Sequence, residues 1–276
     1  MTDRRTDHWV RAHPLACYFV PAYVFSWAIG VPLALAAHGR LAIALPLHYL
    51  TAYGPALAAI VVTAAQDGRA GLRALARRVT AVGGLRLWLL VGLVSPLLLF
   101  AMARALVVAS GRAAGSWSAL GRVNFLPDLG ASAWVLWFLT SGLGEEFGWR
   151  GFALPRLQRT HSALAASVWL GLLWAGWHLP AFFYLPNYAA IGLRVFPGFA
   201  FGVITGSILC TWLYNSAGGS VLVVALWHAS FNFVTASAAG AGDVAAVASV
   251  AVMLWALAVV WRYRPATLAG GPKQEL

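Results

Sequence analysis

Three glutamates occur in the 276-residue sequence, and two are adjacent in Gly144-Glu145-Glu146-Phe147-Gly148-Trp149-Arg150. On a helix turning about 100° per residue, Glu146 and Arg150 share a face and can pair at i,i+4, whereas Glu145 points elsewhere. The spacing separates two roles. Arg150 neutralises Glu146, which leaves Glu145 facing a cavity as an unpaired carboxylate suited to activating water as a general base. The plain alternative is an interfacial cluster whose carboxylates face headgroups and water.

Two more polar groupings follow in the chain. In Trp174-Ala175-Gly176-Trp177-His178-Leu179-Pro180, His178 lies on the face of Trp174, and Pro180 disturbs the helix so that a backbone carbonyl is freed beside it. In Trp227-His228-Ala229-Ser230-Phe231-Asn232, His228 and Asn232 project from one face at i,i+4. Taken alone, a histidine among tryptophans reads as a packed or interfacial residue, and a His/Asn pair as interhelical glue. Together the groupings offer a base for water, an imidazole to shuttle protons, and donors for a developing oxyanion, the set that hydrolysis requires.

The elements that must position these groups are membrane helices. The chain is 61% hydrophobic and 10% charged, with a mean hydropathy of +0.76, against roughly 45–50% and about 25% in soluble domains. It has too few polar groups to cover a water-facing surface. A charge in the bilayer interior costs roughly 2.5–3.5 kcal/mol, so intramembrane ionisable groups are where function is to be sought. The net charge of +11 does not indicate nucleic-acid binding, because the arginines sit singly or in small groups between apolar runs, where membrane lipids and topology explain them. Cys17 and Cys210 lie inside apolar stretches without metal-ligand spacing. Arg4, Arg5 and Arg11 precede an apolar stretch too long for a signal-peptide core, which reads as a retained first helix.

Apolar runs at Leu15–Ala37, Leu41–Ala65, Leu87–Ala109, Ala131–Leu154, Ala163–Leu185, Phe196–Tyr214, Ser220–Ala238 and Val244–Trp261 predict an all-α, polytopic bundle of about eight transmembrane helices. Arg4, Arg5, Arg11, Arg69, Arg73, Arg77, Arg78, Arg86, Arg150, Arg156, Arg159, Arg262, Arg264 and Lys273 fall on one side, and Arg40, Arg112, Arg122 and Arg194 on the other. That asymmetry predicts both termini in the cytoplasm. The stretch Asp67 to Arg86 reads as a basic amphipathic segment on the cytoplasmic surface, with Leu72, Leu75, Ala76 and Val79 on one side. The chain divides into an N-terminal region (1–130), a core carrying the polar groupings (131–240), and a last span with a tail expected to be disordered from Arg262 (241–276).

In these motifs the sequence resembles the CPBP family of intramembrane peptidases (CAAX protease and bacteriocin-processing), whose signatures are EExxxR, FxxxH and HxxxN in that order. They read here as Glu145-Glu146 to Arg150, Trp174 to His178, and His228 to Asn232. Trp174 stands where the family usually has Phe, a change expected to affect packing more than function. The resemblance covers residues 131–238, and the first three spans carry no recognised motif. It implies a glutamate-dependent endopeptidase without a covalent intermediate. Glu145 would activate water and His178 would orient it and relay protons. His228 and Asn232 would bind the oxyanion, with Glu146 and Arg150 bracing the site.

No cofactor is expected. A zinc-dependent variant, using a His₂Glu set, is the less favoured alternative, as is a non-enzymatic immunity or binding protein. The expected partners are membrane lipids and a membrane-associated peptide. High Ala, Arg, Gly and Trp content with a single lysine suggests a GC-rich bacterial genome, which makes a prenylated CAAX peptide the less expected substrate and the bacterial inner membrane the expected location. His48, Tyr49, Arg104 and Asn215 could line a substrate path, although packing or snorkelling explains each. Ser141 and Ser230 lack a base arrangement for a serine nucleophile.

Overall fold

The computed structural model describes residues 9–10, 12–80, 86–123 and 125–276. Among the described residues there is no β-strand, and the chain is an all-α bundle. Helix α1 is Pro14–Ala37, and α2 (Gly54–Thr80) follows a 3-10 turn at Leu45–Tyr53. Helix α3 is Arg86–Ala109, and α4 is the helical run of residues 130–158. The remainder are α5 (Ala163–Trp177), α6 (Phe196–Ser216), α7 (Val221–Thr235) and α8 (Asp243–Thr267). Pro14–Ala37, Leu45–Thr80, Arg86–Ala109, Leu193–Ser216 and Asp243–Thr267 are long and apolar enough to cross a bilayer. The chain is a multi-pass membrane protein.

Side chains such as Leu87, Leu98 and Leu254 stand between 62% and 67% exposed on the outer helices. A belt of that kind would drive association in water, whereas acyl chains are its matching solvent. Inside, one core joins Tyr18 of α1, Leu75 of α2, Trp149 and Phe152 of α4, Leu170 of α5, Leu213 of α6 and Val252 of α8. A second joins Phe100 of α3 with Trp137, Phe233 and Ala248. Both cores draw on segments before and after residues 131–240, so the motif-bearing region is packed with the rest of the chain.

Helix α4 departs from regular geometry where the chemistry lies. It is π-helical over Phe138–Glu145 and again over Trp149–Ala153, with Glu146–Gly148 between. The cause is local. Thr140 Oγ1 donates to the Leu136 carbonyl at 2.6 Å, and Ser141 Oγ to the Trp137 carbonyl at 3.1 Å. These hydroxyls compete for carbonyls that a regular i→i+4 ladder would use. Gly144 and Gly148 then let neighbours approach closely. A Cβ on Gly148 would stand 2.4 Å from the Pro55 carbonyl oxygen, and one on Gly144 2.9 Å from that of Ala52. Wide turns of this kind often mark functional sites.

Four expectations are corrected. Arg150, counted among the topology-setting arginines, is completely buried in an ion pair. The basic stretch of α2, set off by a break at Gly68 (φ 56°), docks on α4: Leu75 is buried in the main core, and Arg78 donates to the Gly151 carbonyl at 2.6 Å. Ala76 is exposed, so the apolar side is only partly used. The α-helix of the fifth apolar run stops at Trp177, because Pro180 has no N–H to continue it, and a 3-10 turn at Leu179–Phe183 follows. The tail is packed: Leu268 is buried, and Lys273 Nζ donates to the carbonyls of Gln158 and His161. Gln274 N–H donates to Asn215 Oδ1 at 3.1 Å. Arg4, Arg5 and Arg11, and residues 81–85 of the basic stretch, lie outside the described residues.

Candidate active site

Glu145 and Glu146 project from the junction of two helical geometries in α4 and meet different partners. Glu146 is fully buried, and both its oxygens accept from Arg150 Nη1 at 2.9 Å. Its Oε1 also lies 2.9 Å from His228 Nδ1 on α7. A carboxylate can only accept here, so Nδ1 carries a proton, and Nε2 is the nitrogen left to act on a ligand. Arg150 is held further by Ser207 on α6, to whose Oγ Nη2 donates at 3.3 Å.

Glu145 is 5% exposed, and its Oε2 accepts from Trp174 Nε1 at 2.8 Å. Trp174, on α5, therefore does more than fill space, since the Phe usual in the resembling family has no donor. Its ring also lies 4.7 Å from the Arg150 guanidinium carbon and meets the His228 ring edge-on at 5.2 Å. One indole thus touches the Arg150 guanidinium, the free carboxylate and an imidazole.

His178 follows the last residue of α5. Its own N–H bonds to Ala175 O at 3.1 Å, so the Trp174 carbonyl is left for His178 Nδ1, 2.8 Å away. A carbonyl accepts only, which fixes the proton on Nδ1 and leaves Nε2 of the neutral ring as an acceptor. Helix α1 secures this end of α5: Trp27 Nε1 donates to the Trp177 carbonyl at 3.0 Å, and the Tyr23 hydroxyl donates to the Leu173 carbonyl. The His178 ring centroid is 5.9 Å from that of Trp174 and 5.3 Å from that of Phe199.

Asn232 is one helical turn beyond His228, half-buried, and its side chain makes no hydrogen bond among the described residues. The structure thus links Glu145, Glu146, Arg150, Trp174 and His228 by direct contacts, with His178 joined to them through Trp174. Asn232 is connected by its position on α7. Tyr18, Tyr23, Trp27 and Ser207 were missed by sequence reasoning. All are single polar atoms within apolar helices, and no spacing marks them. Tyr18 is completely buried, with its hydroxyl 2.5 Å from where a Gly148 Cβ would stand.

Of the residues considered for a substrate path, Tyr49 packs edge-on against Trp137, and Arg104 donates to the Gly115 carbonyl and lies over Trp117. Asn215 exchanges amide hydrogen bonds with Gln158 at 2.7 and 3.1 Å. These three serve packing. Ser141 and Ser230 are occupied, the first donating to a backbone carbonyl and the second accepting from Trp134 Nε1 at 3.0 Å. Among the described residues no group of three or more His, Cys, Asp or Glu side chains is arranged to hold a metal ion.

Residues 127–234 match the family model described as "Type II CAAX prenyl endopeptidase Rce1-like". The chain is also 29% identical over 92 residues to "CAAX prenyl protease 2" of Methanococcus maripaludis, a match covering 32% of this chain and 34% of that relative. The chain therefore spans about a third of the length of the curated relative it matches. The family-model match covers the stretch that carries the site, from Glu145 to Asn232.

Proposed function

We propose that this chain is an intramembrane endopeptidase of the CAAX-protease family that hydrolyses a peptide bond of a membrane-associated substrate with water activated by Glu145. The observation that carries the reading is the division of labour between adjacent carboxylates. Glu146 is spent on Arg150 and His228, while Glu145 has one oxygen held by Trp174. A fixed carboxylate with an uncommitted oxygen is what a general base needs.

In this reading Glu145 takes a proton from water, and His178 Nε2 accepts that water's other hydrogen and orients it. The water oxygen bonds to the scissile carbonyl carbon, and the carbonyl oxygen becomes an oxyanion. His228 and Asn232 donate to it. A His228 ring donating from both nitrogens is a cation, and Glu146, 2.9 Å away, lies against it as counter-ion. The proton held by Glu145 then passes to the leaving nitrogen as the C–N bond breaks. Each step uses a protein side chain. The His₂Glu zinc alternative fits less well, because no three-ligand group is formed among the described residues. The bacterial inner membrane and cytoplasmic termini remain part of this proposal.

The test is cleavage of an S-farnesyl, quenched-fluorescent CAAX peptide by purified protein in vesicles, with and without chelator. Cleavage that resists chelation and disappears in folded Glu145→Ala supports the reading. Equal activity in that variant rejects it, and stoichiometric zinc with chelator-sensitive turnover favours the metal-dependent alternative.

A further inference from the structure

The half of the chain without a recognised motif also places a histidine beside the site. His48 lies on the 3-10 turn Leu45–Tyr53, which two hydroxyls lock: Thr51 Oγ1 donates to the His48 carbonyl and Ser26 Oγ to the Thr51 carbonyl, each at 2.7 Å. This turn abuts the Glu145 segment, where Gly144 permits the close approach of Ala52. From the other side comes Tyr184, at the end of the 3-10 turn that starts directly after His178. The buried Tyr184 hydroxyl stands 2.8 Å from His48 Nδ1, and the rings meet edge-on at 5.6 Å.

Interhelical glue would account for the bond to Nδ1 alone. His48 is half-buried, and its Nε2 has no hydrogen-bond partner among the described residues, so it is open to a ligand. With the Tyr184 hydroxyl donating to Nδ1, the proton of a neutral His48 ring sits on Nε2 and makes it a donor. We propose that His48, its ring held by Tyr184, is a substrate-positioning residue whose Nε2–H donates to an oxygen of the bound peptide. That oxygen belongs either to a backbone carbonyl or to the free C-terminal carboxylate. The inference rests on the peptidase reading and extends its site into the N-terminal half.

The experiment measures binding of a fluorescent S-farnesyl CAAX peptide, and of its C-terminal amide, to Glu145→Gln protein in vesicles. His48→Ala and Tyr184→Phe, each added to that background, should weaken binding of the acid peptide about tenfold without lowering the melting temperature. The two together should do no more than either alone, since they act as a unit. His48→Gln, which retains a donor, should recover part of the affinity. If the carboxylate is the acceptor, the amide binds the parent as weakly as the acid binds His48→Ala; if a carbonyl is, acid and amide behave alike in every variant. Binding within twofold of the parent in both single variants, or losses that track a fall in melting temperature, overturns the inference. Absence of cleavage by the wild-type chain overturns the peptidase reading itself, and the inference falls with it.

Discussion

Replacing Glu146 by Gln should destabilise this protein far more than breaking an ion pair of equal length at its surface. Arg150 Nη1 stands 2.9 Å from Glu146, with both side chains fully buried, and Arg112 Nη2 stands 2.8 Å from Asp243, with side chains 64% and 35% exposed. Distance does not separate the two, so burial must. Removing one partner of a buried pair leaves an uncompensated charge and costs about 3–5 kcal/mol. An exposed pair contributes about 0–1 kcal/mol. Glu146→Gln and Arg150→Met should therefore each cost about 3–5 kcal/mol, whereas the double variant, with neither member of the pair left charged, should cost clearly less than their sum. The coupling energy should be about 3 kcal/mol or more, against below about 1 kcal/mol for Arg112→Ala with Asp243→Ala. Reversible unfolding in mixed micelles, followed by far-ultraviolet circular dichroism, measures all six variants. Similar coupling for the two pairs would refute the argument that desolvation makes Glu146 and Arg150 the brace of the site.

Further outcomes follow from single contacts. Trp174→Phe frees Glu145 Oε2 from its 2.8 Å hydrogen bond, and the lost orientation should lower kcat about tenfold with KM little changed; steady-state kinetics showing an unaltered kcat would contradict this. Gly148→Ala forces a methyl group against the Pro55 carbonyl and the Tyr18 hydroxyl and should cost about 1–3 kcal/mol, read by the same unfolding assay. Deleting residues 268–276 removes the buried Leu268 and the bonds from Lys273 and Gln274 to Gln158, His161 and Asn215. A loss of about 2–3 kcal/mol is expected from the apolar burial and hydrogen bonds together, and unchanged stability would show that the docked tail does not brace α4 and α6.

The sequence made the helices legible because burial in lipid demands long apolar runs, and each of the eight runs contains a helix. It also exposed the polar groupings, since i,i+4 spacing is visible in a string: Glu146 with Arg150 needed only that rule. The π turns of α4 were hidden because they arise from competition between the Thr140 and Ser141 hydroxyls and the backbone, which no periodicity records. Trp174 was read by analogy with a phenylalanine, so its indole N–H was not given a partner. Tyr23 and Trp27 were invisible for another reason. Their partners are backbone carbonyls about 150 residues away, left open near a proline-terminated helix end. The tail looked disordered from its glycines and prolines, yet the amides of Gln158 and Asn215 give it buried acceptors and donors.

The most direct test of the central claim is a single-turnover comparison of wild-type protein and Glu145→Gln in vesicles, with peptide binding measured alongside. Gln keeps the shape and can still accept from Trp174, but it cannot take a proton from water. Bond cleavage is expected to slow by about 10²–10⁴-fold while peptide affinity stays within a factor of about two, because the substitution alters proton acceptance more than the shape of the site. A cleavage rate in Glu145→Gln within threefold of wild type, at equal binding, would contradict the account.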